Sequence, residues 1–326
     1  MGMRVVRYVE KEGSRWGVLK EERIIPLEGT YPTLAALLRE GVAEARNALS
    51  AGTEGIPLSD ARLLSPVTSP ARIVCQGANY SAHRAEAGLK PERPPFNLIF
   101  TKADSSLSGA YDPIQLPGHV KLLDYEIELG LVIGKAIDAP VLVSEENLHE
   151  YVAGLVISND VSSRDVQFVE GQWYKGKSYR SFCPTGPFLY LLDKEEVPDI
   201  FNLDLKLWVN GEQRQAANTK QLLFPPDETL TELSSLMDLS VGDLVMTGTP
   251  GGVALHLTPE AFDQLSNPFL PGNKKLELLI ESQKDNPRYL KEGDVITCEI
   301  TSPDGRIHLG AQENKVVAAL NSTLVQ

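Results

Sequence analysis

Residues 124–134 read DYEIELGLVIG, and this run constrains the chain more than any other. Side chains alternate faces along an extended strand. Asp124, Glu126 and Glu128 therefore share one face, and Tyr125, Ile127 and Leu129 the other. The run then turns apolar on both faces, so it reads as a strand leading from an acidic start into the interior. Three stacked carboxylates repel one another, and taking even one from water is costly unless it is paired. Two arrangements meet that cost. The commoner is a solvated strand face with lysines nearby; the other is a hard divalent cation held by carboxylate oxygens. The apolar continuation weighs toward the cation.

A second buried strand, VAGLVISND at 152–160, ends in an acid. Asp160 at its mouth would complete a three-carboxylate site with Glu126 and Glu128, although an Asp at a strand end is more often a turn former or a helix cap. Upstream, GANYSAHRAE follows the strand-like RIVCQG. His83 and Glu86 are three apart and share a helical face. A carboxylate on one imidazole nitrogen raises the basicity of the other, a pairing that can activate water; a surface His beside a surface Glu is the ordinary alternative. Lys102, Arg164, Lys175 and Lys177 are cations that could hold an anionic ligand, though most lysines of an acidic chain dress its surface. The turn GTPGG at 248–252 presents backbone N–H groups and the Thr249 hydroxyl, suited to a carboxylate; its spacing is not that of a P-loop.

Composition narrows the partners. There are 31 Lys and Arg against 44 Asp and Glu, a net charge of −13. That argues against nucleic acid and anionic membranes, and requires an anionic ligand to be met by local cations. Cys75, Cys183 and Cys298 are widely spaced with no CxxC pair, which excludes a disulfide framework and a structural zinc site. No apolar leader and no run of about 18 apolar residues is seen, so a signal peptide and a membrane span are not expected and the cytoplasm is the expected compartment.

The chain reads as two units. Residues 1–65 form a small N-terminal domain of short strands (RVVRYV, RWGVLK, RIIPL), a helix over 31–40 and a mixed stretch over 42–62; two Ser-Pro pairs then mark the boundary. Residues 66–326 hold many short β-like runs and few helical patterns, near 79–89, 144–151 and 228–237. The expectation is a mainly β (α+β) fold rather than a doubly wound sheet. Residues 255–292 are long for a strand connection and are expected to form a lid or an interface excursion.

In order, GANYSAHRAEAG (77–88), FTKADSSLSG (100–109), DYEIELGLVIGK (124–135), GLVISNDVSSRDVQ (154–167), GKSYRSFCPTGPF (176–188), LWVNGEQRQAANT (207–219) and GDLVMTGTPGGV (242–253), with GDVITCEI at 293–300, resemble the fumarylacetoacetate hydrolase superfamily. The resemblance implies a mixed β-sandwich roll with a small N-terminal α/β domain, assembled as a homodimer. It implies that Glu126, Glu128 and Asp160 bind Mg²⁺ (or Mn²⁺ or Ca²⁺), and that His83 and Glu86 activate water. Lys177 would act with them in catalysis, while Arg164, Gln167, Thr249 and Lys102 would hold substrate. Two departures stand out: Ala103 follows the lysine where many members have proline, and 255–292 is longer than usual.

The activity implied is metal-dependent hydrolysis of a C–C bond in a 2,4-dioxo acid, an acylpyruvate such as fumarylpyruvate or maleylpyruvate, giving pyruvate and a carboxylic acid in aromatic-compound catabolism. The same site also suits a decarboxylase, isomerase or hydratase acting on oxaloacetate-like or hydroxydienedioate substrates. A non-catalytic metal- and ligand-binding protein is the alternative of another class, and would be expected to have lost a ligand or the base.

Overall fold

In the computed structural model, which describes residues 2–11, 13–50 and 54–319, the run Ile127–Ile133 is a strand buried at every position. The parts of the two expected units at residues 1, 12, 51–53 and 320–326 lie outside the described residues. The strand's two apolar faces serve two cores. Leu129, Leu131 and Ile133 join the larger one, while Val132 joins a second core with Trp16, Leu34 and Leu37 from the N-terminal segment.

Ile127–Ile133 runs antiparallel to both Val152–Asn159 and Leu244–Met246. Leu244–Met246 lies parallel to Ile73–Gly77, which pairs antiparallel with Leu98–Lys102. Among the described residues these strands belong to a 13-stranded mixed sheet. The N-terminal strands continue the same sheet: Met3–Glu10 pairs with Leu189–Leu191, and Gly13–Lys20 and Arg23–Pro26 follow outward.

A five-stranded sheet, in the order Glu212–Asn218, Asp204–Val209, Val295–Thr301, His308–Ala318 and Ile114–Leu116, faces the first. Leu205, Leu207 and Val209 are buried at every second position, as a half-buried strand requires. They share the larger core with Leu129, Leu131 and Ile157 of the first sheet. The chain is therefore mainly β, a mixed sandwich with helices at its margins, as the sequence leads one to expect.

Helices differ from expectation in extent. Residues 42–62 were expected to be mixed, yet helical turns run without a break through Leu34–Ala36, Leu37–Gly41 and Val42–Ser50. Val42, Ala45, Ala48 and Leu49 lay one stripe on the second core, and the two alanines blur that stripe in the sequence. The helix expected over 144–151 shrinks to Leu148–Tyr151. Within 255–292 the chain forms Pro259–Ser266, capped by the Thr258 hydroxyl, and Gly272–Gln283. All three cysteines are buried and free. No described helix is long and apolar enough to cross a membrane.

Candidate metal centre and its cavity

Register brings four strand ends together. Ile127 is paired with Asn159, Gly130 with Met246, and Met246 with Cys75. The start of Ile127–Ile133 thus lies beside the residues that follow 152–159, 244–246 and 73–77. The acidic strand does not run unbroken from residue 124. Leu123–Asp124 pairs separately with Ser162–Ser163, and residues 125 and 126 belong to neither strand. The break separates Asp124 from its expected companions. Glu126, Glu128 and Asp160 do converge: all three are buried, and a carboxylate oxygen of each lies within 4.8 Å of the others.

Buried cations answer these acids. The Lys177 ammonium donates to Glu126 Oε2 at 2.8 Å and to Asp160 Oδ2 at 2.7 Å. Lys102 donates to Asp160 and, at 2.9 Å, to the Phe182 carbonyl. Arg164 Nη2 lies 2.5 Å from Glu126 Oε1 and 2.8 Å from Asp124 Oδ2, and its Nη1 donates to Gln167 Oε1 at 2.9 Å. Asp124 also accepts from the Ala254 and Leu255 amides at 2.8 and 3.0 Å. It anchors Arg164 and the chain after the GTPGG turn, a role the alternation pattern concealed.

Three cations therefore face four carboxylates, which leaves one negative charge in excess. The excess falls on Glu128. Its Oε2 accepts from the Gly248 amide at 2.8 Å, but its Oε1 is buried with no partner. Burial, then Asp160 and Glu126, push its carboxyl well above the usual carboxylate range. Burial would raise Glu126 likewise, but Lys177, Arg164 and His83 hold it down at about 2. Gly248 has φ +88°, and a Cβ there would stand 2.8 Å from Asn79 Cβ, so glycine is what lets this amide face Glu128. An orphaned buried oxygen, three converging carboxylates and a shortfall of positive charge fit a hard divalent cation.

Glu126, Arg164 and Lys177 line a small cavity of about 50 Å³, together with His83, Gln167, Thr249 and Gln76. His83 sits on helix Ser81–Glu86. Burial lowers its pKa to about 4, and its Nδ1 is buried with no hydrogen-bond partner. The expected hydrogen bond from the His83 ring to Glu86 is not present. Both Glu86 oxygens accept from the Gly252 amide, at 2.8 and 2.9 Å, and Glu86 lines a separate recess with Arg214 and Ser81. The GTPGG turn supplies a donor that captures the carboxylate before the imidazole can. Thr249 donates its hydroxyl proton to the Ile127 carbonyl at 2.9 Å and accepts from Gln215 Nε2 at 2.9 Å. Lys175 is exposed, paired with Glu170 at 2.5 Å, and does not line the cavity.

Sequence reasoning passed over Gln76, Phe100, Phe168, Trp173 and Phe262, which complete the wall. One signal was available: Trp173 and Lys177 are four apart on helix Trp173–Lys177, and so share a face.

The His83 shift has a consequence for stability. Its folded value of about 4 lies below the ordinary 6.5, so folding favours the neutral ring. That contribution is present above pH 6.5 and is lost as the pH falls through 4. Denaturation curves between these limits should decline more steeply for the wild type than for His83→Gln, by up to about 1.4 kcal/mol per pH unit. Parallel declines would show that the imidazole is not held neutral by the fold.

A family model described as fumarylacetoacetate (FAA) hydrolase C-terminal matches residues 72–317, and one described as Rv2993c-like, N-terminal matches residues 3–66. Oxaloacetate tautomerase Fahd2a, mitochondrial, of Rattus norvegicus is 35% identical over 289 residues, which span 87% of this chain and 80% of that protein. The crystal structure of maleylpyruvate hydrolase from Sphingobium sp. SYK-6, in complex with manganese(II) ion and pyruvate, aligns with a TM-score of 0.71 and 28% identity over 98% of this chain and 100% of its own. The 2-hydroxyhepta-2,4-diene-1,7-dioate isomerase of Mycobacterium marinum aligns with a TM-score of 0.66 and 25% identity over 97% of this chain and 98% of its own.

Proposed function

This chain belongs to the fumarylacetoacetate hydrolase family, and from that premise we propose that it is a divalent-metal-dependent enzyme that hydrolyses a C–C bond of an acylpyruvate, releasing pyruvate and a carboxylic acid. The observation that carries the proposal is the buried trio Glu126, Glu128 and Asp160, with its orphaned Glu128 oxygen, whose Glu126 lines a cavity together with Arg164 and Lys177. The trio would hold Mg²⁺ or Mn²⁺. When bound, such an ion supplies a Lewis acid that polarises the 2-oxo group and offsets negative charge.

The chain's own residues do the rest. Burial works against the Lys177 charge, but Asp160 and Glu126 outweigh it and raise the pKa, so Lys177 is a donor and not a base. Lys177, Arg164 and Gln167 steady the oxygen on which charge develops. His83, neutral at pH 7, takes a proton from water, and the hydroxide adds to the acyl carbonyl. The acyl–carbon bond breaks, its electron pair leaves as the pyruvate enolate, and His83 returns the proton to that carbon. Lys102 keeps Asp160 in place, and Thr249 fixes the turn beside the substrate. We assign residues 1–65 to a small N-terminal unit, residues 66–326 to the unit carrying the site, and residues 255–292 to a lid, since Leu255 and Phe262 line the cavity.

A second reading, tautomerisation or isomerisation of an oxaloacetate-like or dienedioate acid, is supported by the hold of Gly252 on Glu86. His83 then lacks the carboxylate that would strengthen it toward water, and moving a proton between carbon and oxygen asks less of it. One assay separates the two. The Mg²⁺-loaded protein should consume the ultraviolet absorbance of a 2,4-dioxo acid and release an equal amount of pyruvate, read through lactate dehydrogenase, with EDTA stopping both. Faster keto–enol exchange of oxaloacetate with no pyruvate from any 2,4-dioxo acid would replace hydrolysis with tautomerisation. Inertness toward all of these acids would favour a binding protein.

A further inference from the structure

The cavity has few charged lining residues and a largely apolar remainder. Glu126, Arg164, Lys177 and His83 are its titratable lining among the described residues, and Arg164 and Lys177 are tied to buried carboxylates. Beside Gln76, Gln167 and Thr249, the uncharged wall holds Leu89, Phe100, Phe168, Trp173, Leu255 and Phe262. Phe100 and Trp173 meet edge to face at 5.2 Å, and the Lys177 ammonium lies 5.3 Å from the Phe100 ring centre, so this aromatic pair adjoins the charged residues. Trp173 rests on bare backbone: a Cβ on Gly77 would stand 2.5 Å from its ring. Leu89, Phe100, Phe168, Trp173 and Phe262 are each half-buried, leaving apolar surface for a ligand to cover.

A ligand anchored by a 2-oxo acid head at the charged residues would project its far end against this wall. A second carboxylate there would lose its water and find no cation among the lining residues. An alkyl or aryl group would cover apolar surface and stack on rings. We infer that the site selects 2-oxo and 2,4-dioxo acids whose remote end is uncharged and apolar over those ending in a second carboxylate. The inference rests on the 2-oxo acid reading above and narrows it away from fumarylpyruvate and maleylpyruvate.

Calorimetric titration of the Mn²⁺-loaded full chain tests it with pyruvate, 2-oxohexanoate, 4-phenyl-2-oxobutanoate and 2-oxoglutarate. The two apolar acids should bind at least about tenfold more tightly than 2-oxoglutarate, the scale of one or two methylenes in an apolar pocket. Phe262→Ala, on the marginal helix Pro259–Ser266, should weaken 2-oxohexanoate at least about fivefold more than pyruvate. Trp173→Arg should move the preference toward 2-oxoglutarate. If pyruvate binds but 2-oxoglutarate binds as tightly as 2-oxohexanoate, the inference is overturned while the 2-oxo acid reading stands. If pyruvate itself fails to bind the Mn²⁺-loaded protein, that reading falls and the inference with it.

Discussion

Glu128→Gln should abolish divalent-metal binding and lower turnover by about 10³-fold or more, yet leave the metal-free fold within about 1 kcal/mol of the wild type. The two halves of this result have one cause. Without a cation, burial and the neighbouring Asp160 and Glu126 drive Glu128 toward its protonated form. Glutamine is close in shape to that neutral acid, and its oxygen can still accept from the Gly248 amide. What it lacks is the anionic ligand that the partnerless Oε1 represents. The variant should therefore unfold at the metal-free wild-type midpoint and gain nothing from added Mn²⁺, whereas the wild type should gain stability with metal concentration. Asp160→Asn makes an instructive contrast. It takes the carboxylate from buried Lys102 and leaves Lys177 with Glu126 alone, a loss on the order of 3–5 kcal/mol. Lost activity in that variant would speak as much of folding as of metal, which is why Glu128 is the sharper probe.

His83→Ala should retain Mn²⁺ and pyruvate binding but lose turnover by about 10²–10⁴, the usual worth of a general base. The ring sits in the cavity wall, held neutral by burial and without a hydrogen-bond partner on Nδ1. Glu86→Gln should cost less than about tenfold, because Glu86 secures the Gly252 amide and not the imidazole. Single-turnover rates with a 2,4-dioxo acid, measured for both variants beside calorimetric pyruvate binding, decide this. Equal losses in the two variants would mean that the carboxylate leaves Gly252 and grips His83 when substrate binds. Full activity in His83→Ala would remove the residue from the chemistry.

The sandwich was readable because apolar alternation and short punctuated runs report directly on burial. Leu205, Leu207 and Val209 show period two in sequence and in burial alike. The helix over 42–50 was not readable, since half of its stripe is alanine, which carries little apolar contrast. In the site, Glu126, Glu128 and Asp160 were found from alternation and from a strand ending in acid, and register explains why they meet. Asp124 was expected on their strand face, though not as a ligand; the alternation rule holds only while the strand continues, and it stops between Asp124 and Ile127. The His83–Glu86 pairing failed for a tertiary reason: helical spacing gives proximity, but the amide of a turn 166 residues away competes for the carboxylate. The aromatic wall was mostly hidden because Phe100, Phe262 and the Phe168–Trp173 stretch lie far apart in the chain, and only the spacing of Trp173 and Lys177 marked one of its rings.

Anomalous diffraction at the manganese edge from crystals soaked in Mn²⁺ is the most direct measurement. A single peak should appear among the oxygens of Glu126, Glu128 and Asp160, with the Glu128 Oε1 turned to it, and should vanish in Glu128→Gln crystals. Carboxylates still joined only to Lys102, Lys177 and Arg164, with no peak among them at millimolar Mn²⁺, would contradict a metal-dependent enzyme at this site.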